Sequence, residues 1–250
     1  CVWTGSSGWD AIRLLCSSSL VADNIVTNFT GSVDTYAVEH GDFIQSFSDN
    51  GEVATNNIIE RNFINNLHYL QIGNFTDIAT NNSVSDWTWR NNIFIGPSMQ
   101  ANIYTPRFKW YNNVFYRCTT NTGHPLLFKG AADRNYGHNA EVYNNIFVEC
   151  GANSASTSQG WYSFEAGITN MSTNFNLVIG IGAVTSKTGF GEINGINGSD
   201  PLFISAGSIN PSDSGLMAGS PCTATGTNLS SSFTIDFAKI ERGSVWDIGA

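Results

Sequence analysis

One phrase recurs along the chain: an asparagine set between two short, β-prone apolar runs. It reads VADNIV at Asn24, ATNNII at Asn57, WRNNIF at Asn92, YNNVFY at Asn113 and YNNIFV at Asn145, with a weaker NFNLVI at Asn176. Successive phrases are 33, 35, 21, 32 and 31 residues apart. A period of that length is the mark of a repeat architecture. Each phrase encodes strand, sharp bend, strand, because asparagine tolerates a left-handed backbone and its amide bonds nearby main chain. The flanking residues are β-branched or aromatic and are interrupted every few positions by Asn, Gly or Ser, a poor pattern for helices.

A second series keeps step with the first: DAIRL, DFIQS, HYLQI, ANIYT, LLFKG and YSFEA, with Ile12, Ile44, Leu70, Ile103, Phe128 and Phe164 as the expected inward residues. Two strands per repeat, with room for a third after the asparagine, predict an all-β parallel solenoid of about six visible rungs. A single rung cannot bury its apolar side; rungs stacked about 4.8 Å apart can. An antiparallel sandwich gives no reason for the phrase to recur near 32 residues. Stacking also sets Cys118 over Cys150, each five residues past its asparagine. An oxidising compartment would bridge that pair and a reducing one would leave two buried thiols. Cys1 and Cys16 can pair within the first turn, which leaves Cys222 odd.

A formal charge of −9 with only 11 Lys plus Arg argues against nucleic acid or an anionic membrane as partner. No apolar run approaches the length of a bilayer span. The opening CVWTGSSGW has neither an initiator methionine nor a signal peptide, as expected of a processed chain or an excerpt. Asn-X-Ser/Thr sites at Asn28, Asn74, Asn81, Asn170, Asn197 and Asn228 permit glycosylation, although 29 asparagines in a Ser/Thr-rich chain produce about that many by chance.

The rhythm weakens after Gly182, dividing the chain into rungs over 1–199 and a closing segment of the same domain over 200–250. That segment carries Asp200-Pro201-Leu202-Phe203, Leu216, Ser220-Pro221-Cys222, Gly226, Arg242 and Asp247-Ile248-Gly249-Ala250. In these residues, and in its NNIF rungs, the chain resembles the right-handed parallel β-helix proteins of the pectate-lyase-like superfamily. The resemblance implies a single-stranded right-handed parallel β-helix with a C-terminal capping tail. It implies no reaction, because the same tail closes lyases, hydrolases, epimerases, surface proteins and phage fibres. Relatives usually continue with Tyr-Glu, so further residues are expected after Ala250. The tail is expected to cross the last rung or to pack beside it, with Phe233, Ile235, Phe237, Ile240 and Trp246 as apolar cover for an open strand edge. No comparable cap precedes Asp10, and a longer chain is expected there.

If the second series points inward, its neighbours form two outward columns: Arg13, Gln45, Gln71, Tyr104, Lys129, Glu165 and Ala11, Phe43, Tyr69, Asn102, Leu127, Ser163. Arg13, Phe43, Gln45, Tyr69, Gln71, Tyr104 and Glu165 are the candidate substrate-binding residues. Aromatics stack on sugar faces, and guanidinium and amide groups meet hydroxyls and carboxylates. An ordinary solvated sheet face would look the same.

Two clusters could carry chemistry. His40 and Asp42 in VEHGDFIQ, with Glu39 and His68, could orient a general base or hold a divalent cation such as Ca²⁺; a recurring corner aspartate is the simpler reading. Lys129, Arg134 and Tyr136, with Arg107 nearby, could supply the base and the cation that β-elimination beside a uronate carboxylate needs. Hydrolysis asks for two facing carboxylates, and Glu165 has no evident partner. The double-aspartate and Gly-His-Gly pair of polygalacturonases, the Arg-X-Pro-X-X-Arg of many pectate lyases and the Tyr-Gly-Phe-Asp-Pro-His of mannuronate epimerases are absent. Two functions stay open: an extracellular or surface-associated protein that binds a polysaccharide and cleaves it as a lyase, or a non-catalytic surface, appendage or virion β-helix that assembles with copies of itself.

Overall fold

The computed structural model describes residues 2–3, 10–27, 41–48, 51–65, 70–77, 83–96, 99–118, 125–129, 137–150, 162–164, 168–180 and 192–250. Among them the helical content is one 3-10 turn, Pro211–Ser214, and no helix is long and apolar enough to cross a membrane.

The strands form three long parallel sheets visited in cyclic order, beside a two-stranded parallel pair of Ala54–Thr55 with Val84–Ser85. Face one holds Ile12–Arg13, Gly41–Ser48, Leu70–Asp77, Ala101–Ile103, Leu126–Phe128 and Tyr162–Phe164. Face two holds Leu20–Ala22, Ile58–Glu60, Thr88–Arg90, Lys109–Tyr111, Glu141–Tyr143 and Ser172–Asn174. Face three runs from Val2–Trp3 through Ile25–Thr27, Phe63–Asn65, Ile93–Ile95, Val114–Tyr116, Ile146–Val148 and Leu177–Ile179 to Ile196–Asn197. Each strand pairs in parallel with the strand one turn later, as Phe94 with Phe115 and Phe115 with Phe147. These stacked parallel repeats fit a β-helix.

Two corners of every complete rung are made by one left-handed residue. Between faces one and two it is Ser18, Asn56, Asp86, Arg107, Asn139 or Asn170; between faces two and three it is Asp23, Arg61, Asn91, Asn112, Asn144 or Phe175. Directly after the face-two-to-three corner residues comes a continuous asparagine ladder, Asn24, Asn62, Asn92, Asn113, Asn145 and Asn176, fully buried from Asn62 on. The Oδ1 of each later member accepts from both the backbone N–H and the Nδ2–H of the member one rung earlier, at 2.8–3.2 Å. From Asn62 on, Nδ2 also donates to a face-two carbonyl of the preceding rung at 2.8–2.9 Å. Glu192 ends the ladder. Its carboxylate accepts from Asn176 N at 3.1 Å and Asn176 Nδ2 at 2.8 Å, where the next asparagine would stand.

The ladder member of the second rung is therefore Asn62, not Asn57. Asn57 is also fully buried, but at the other corner, where it accepts from Ser19 N and donates to Cys16 O. In this rung both corners use a left-handed residue, Asn56 or Arg61, followed by an inward amide, Asn57 or Asn62, so an Asn-Asn pair marks a corner without saying which.

In-register stacking sets like residues over one another inside the coil. Trp89 stacks on Trp110 at 4.8 Å, and Phe115 lies between Phe94 at 5.1 Å and Phe147 at 4.7 Å. These separations are the rung spacing itself. Cys118 and Cys150 are stacked as expected, yet the structure holds them as buried free thiols rather than a disulfide. Burial, and then Cys150 itself, raise the Cys118 thiol well above its ordinary value. Cys16 is a free thiol too, and Cys1 lies outside the described residues.

The tail lies against the outside of face three instead of crossing the last rung. Phe203, Cys222 and Ile248 bury the outward side chains of Phe63, Ile93, Val114, Ile146 and Leu177. This explains why IFI, VFY and IFV are apolar throughout: such strands are covered on both sides. Phe233 and Trp246 pack on Tyr111 of face two, whereas Ile240 is 64% exposed and covers nothing.

The first asparagine of each pair holds the tail down. Asn91 Nδ2 donates to Ile235 O; Asn112 Nδ2 donates to Asp247 O and Gly249 O; Asn144 donates to Thr227 O and accepts from Thr227 N. Gly249 sits so close to face three that a Cβ there would stand 2.6 Å from Ile146 Cδ1. A double asparagine thus does two jobs, an outer clasp and an inner rung of the ladder.

Two stability predictions follow from the corners. Asn113→Ala strands the paired donors of Asn92 and the Trp89 carbonyl in a dry interior, and should cost about 3–5 kcal/mol at roughly 1–3 kcal/mol per orphaned group. A urea-unfolding loss below about 1 kcal/mol would show the ladder to be dispensable. Phe175 holds φ 57° without the local hydrogen bonding that suits asparagine to that region. Phe175→Asn should gain about 1 kcal/mol, and a net loss would mean that ring packing outweighs the backbone strain.

Candidate functional site

Face one carries the outward wall, and its register corrects the expected columns. Ile12 pairs with Ile44, but Ile44 pairs with Gly73, and Phe75, not Leu70, pairs with Ile103. Gly73 is what the close approach demands, since a Cβ there would lie 2.7 Å from Ile44 O. One outward column is therefore Arg13, Gln45, Asn74, Asn102 and Leu127; the other is Phe47, Thr76, Tyr104 and Lys129. Gln71 stands beside Asp42, three places from the position assigned to it. Phe43 is no wall residue: it is 1% exposed and packs edge-on against Trp89 inside the coil. Sequence alternation along Gly41–Ser48 already offered Phe47 as an outward aromatic, a signal hidden by ending that strand at Gln45.

The first end of the wall is knitted together. Arg13 Nη2 donates to Asp10 Oδ2 at 3.1 Å and to Gln45 Oε1 at 3.2 Å, with its guanidinium 5.2 Å above the Phe47 ring. Asp10 Oδ1 accepts from Asp42 N at 3.2 Å, which is the corner role expected of an aspartate here. Asp42 itself is fully buried, and Gln45 Nε2 donates to its Oδ2 at 3.4 Å. A buried, corner-bound carboxylate does not present itself to a polymer. In the middle, Asn102 is 8% exposed and donates to Gln71 Oε1 at 2.6 Å, and Leu127 is likewise buried. At the far end Lys129 places Nζ 5.3 Å above the Tyr104 ring. His40, Tyr69, Arg134, Tyr136 and Glu165 lie outside the described residues, as do Glu39 and His68.

Elsewhere the basic residues are spoken for. Arg107, expected near Lys129, forks onto Asp86 at the same corner one rung earlier, with Nε–Oδ1 2.6 Å and Nη2–Oδ2 2.8 Å. Arg61 binds Asp23 and Glu60, Arg90 binds Glu60, and Lys239 brings the tail to Asp23. Lys109 faces Glu141 and Arg117 faces Glu149 one rung on. Among the described residues Lys129 is the partly exposed lysine or arginine of the three faces that has no carboxylate in ion-pair reach. Also among them, no group of three or more His, Cys, Asp or Glu could hold a metal ion. Asn74, one of the sequons, has its Oδ1 enclosed within face one, a poor position for a glycan.

Compared with family models, curated proteins and solved structures, the chain matches none.

The corner ion pairs give the fold an acid limit. The Arg107 guanidinium holds the Asp86 carboxyl below its usual range, against an opposing push from burial, and Arg61 does the same for Asp23. A carboxyl depressed on folding stabilises the folded state fully above its unfolded pKa, about 3.9. That contribution fades as pH falls through the lower folded value. Stability should therefore drop below about pH 4, and Arg107→Met should flatten the drop. An unchanged acid slope in that variant, measured by urea midpoints from pH 5 to about pH 2.5, would place the acid sensitivity elsewhere.

Proposed function

We propose that the chain is a right-handed parallel β-helix, extracellular or surface-associated, that binds an acidic polysaccharide along face one. Right-handedness is supported by the near-universal hand of connections between parallel strands of one sheet. The observation that carries the binding reading is Lys129: an ammonium held over Tyr104 with no carboxylate partner among the described residues, in a molecule whose other described surface cations face carboxylates. Arg13 stands at the other end, four rungs away, or roughly 19 Å at the rung spacing. Cations at both ends, with the half-buried Gln45, Asn74 and Thr76 between them, suit a chain bearing uronate carboxylates and hydroxyls.

Each ring already carries a cation on one face, so a sugar would stack on Phe47 or Tyr104 only from the side left open. Binding therefore rests on charge and hydrogen bonds more than on stacking. If the bound chain is cut, the matching reaction is β-elimination: a base takes the proton beside the carboxylate, the glycosidic C–O bond breaks, and a double bond remains in the sugar. Lys129 is the residue placed to meet that carboxylate. The alternative, a non-catalytic surface or appendage protein, draws support from the number of charges spent on holding rungs and tail together.

Polygalacturonate, alginate and a neutral glucan should be compared by affinity electrophoresis and by absorbance of the unsaturated product. Retardation by the uronates alone is expected, with Lys129→Ala binding about tenfold more weakly, the loss of roughly 1.4 kcal/mol, at an unchanged unfolding midpoint. Equal retardation of the variant, or none by either uronate, would remove this reading. Self-assembly without any glycan binding would favour the scaffold.

A further inference from the structure

Loops of the tail, with Ile93 of face three, shape a half-open pocket of about 410 Å³, within the usual size of small-ligand sites. Three charged residues line it, Asp236, Arg242 and Asp247. Each is partly used by the fold. Asp236 Oδ1 accepts from Ile240 N at 2.8 Å, and Asp247 Oδ1 accepts from Ala224 N at 2.7 Å. Arg242 Nη2 donates to Asn91 Oδ1 at 3.2 Å and Gly249 O at 3.0 Å, and its Nε is enclosed without a partner. Among the described residues, Asp236 Oδ2, Asp247 Oδ2 and Arg242 Nη1 make no hydrogen bond. Burial lowers the Arg242 pKa, as expected for a guanidinium with no carboxylate in ion-pair reach.

The balance of these groups narrows the ligand. Two carboxylates outweigh one guanidinium and so disfavour a simple anion, while two carboxylates alone supply far fewer than the roughly six to eight oxygens a cation such as Ca²⁺ takes. Two acceptors and one donor, beside apolar surface from Ile93 and Phe237, match vicinal hydroxyls on a carbon ring. We propose that this cavity binds a small neutral, hydroxyl-rich ligand of the mono- or disaccharide class. The site lies on face three and is independent of the wall on face one.

The chain has three methionines, and only Met217 lines the cavity; Met99 and Met171 are buried in the coil. Methyl-¹³C-methionine NMR therefore reads the site directly. Titrating glucose, galactose and maltose should move the Met217 signal saturably, at about millimolar affinity, while the other two stay still. Ala218, exposed on the rim, provides the control. Ala218→Trp should abolish the Met217 shift and leave the Met99 and Met171 signals and the unfolding midpoint as they were. Lys129→Ala should keep the Met217 shift, so failure here and failure of the face-one reading are told apart. No saturable shift with any of the three sugars would overturn the proposal. So would saturation by sulfate or Ca²⁺ instead, or an undiminished shift in Ala218→Trp.

Discussion

Everything in this molecule hangs on a column of buried amides. An asparagine in a dry interior has two donors and two acceptor positions to satisfy, and a half-satisfied one is costly. Here each Oδ1 receives two hydrogens from the rung before, and each Nδ2 gives one to the rung after and one to a carbonyl behind. That arrangement works only if successive corners sit one strand spacing apart and turn in the same direction. The ladder thus fixes rung height and corner geometry together, and the aromatic stacks inherit both. Its end obeys the same accounting. Gly195 occupies the next position along face three and has no amide to offer, so the Glu192 carboxylate reaches across to take the two donors of Asn176.

The left-handed residue beside each ladder member is free to do something else, and where the tail passes it is asparagine. Asn91, Asn112 and Asn144 clasp tail backbone; Asp23, Arg61 and Phe175 hold the same position in the outer rungs. Asp23 also meets the tail, through Lys239. Covering face three removes one side of the coil from solvent, and the Tyr111, Phe233 and Trp246 cluster takes part of a second. Face one is left as the side where strands can show their outward residues to a partner.

The sequence made the repeat visible because its period is written twice, in the asparagines and in the inward residues Ile12, Ile44, Ile103 and Phe128. It also made the tail visible, although not its course along face three, which depends on outward residues such as Ile93 and Val114 finding partners far away in the chain. Two errors have one origin. Asn57 and Leu70 looked like members of their series because short polar and apolar phrases repeat at both corners, and only backbone pairing distinguishes them. Taking Leu70 for Phe75 slid one strand along its neighbours and put Gln71 in the wrong column. Phe43 failed differently: it lies at the start of a long strand where two successive residues, Phe43 and Ile44, both turn into the core. The charge pattern around Lys129 was out of reach, because it depends on which carboxylates the other described cations of the three faces found.

A wall built this way constrains what can bind it. Side chains along a column recur at the rung spacing, and the ladder permits little adjustment of that interval. A globular ligand would meet a ruled, shallow surface with few convergent groups, whereas an extended polymer can lie along it and meet Arg13, Thr76 and Lys129 in turn. The half-open pocket in the tail has the opposite character: its groups come from irregular loops and need no repeat in the ligand. The same ladder therefore underlies two kinds of recognition, by holding one surface straight and by giving the tail three fixed asparagines on which to fold a pocket.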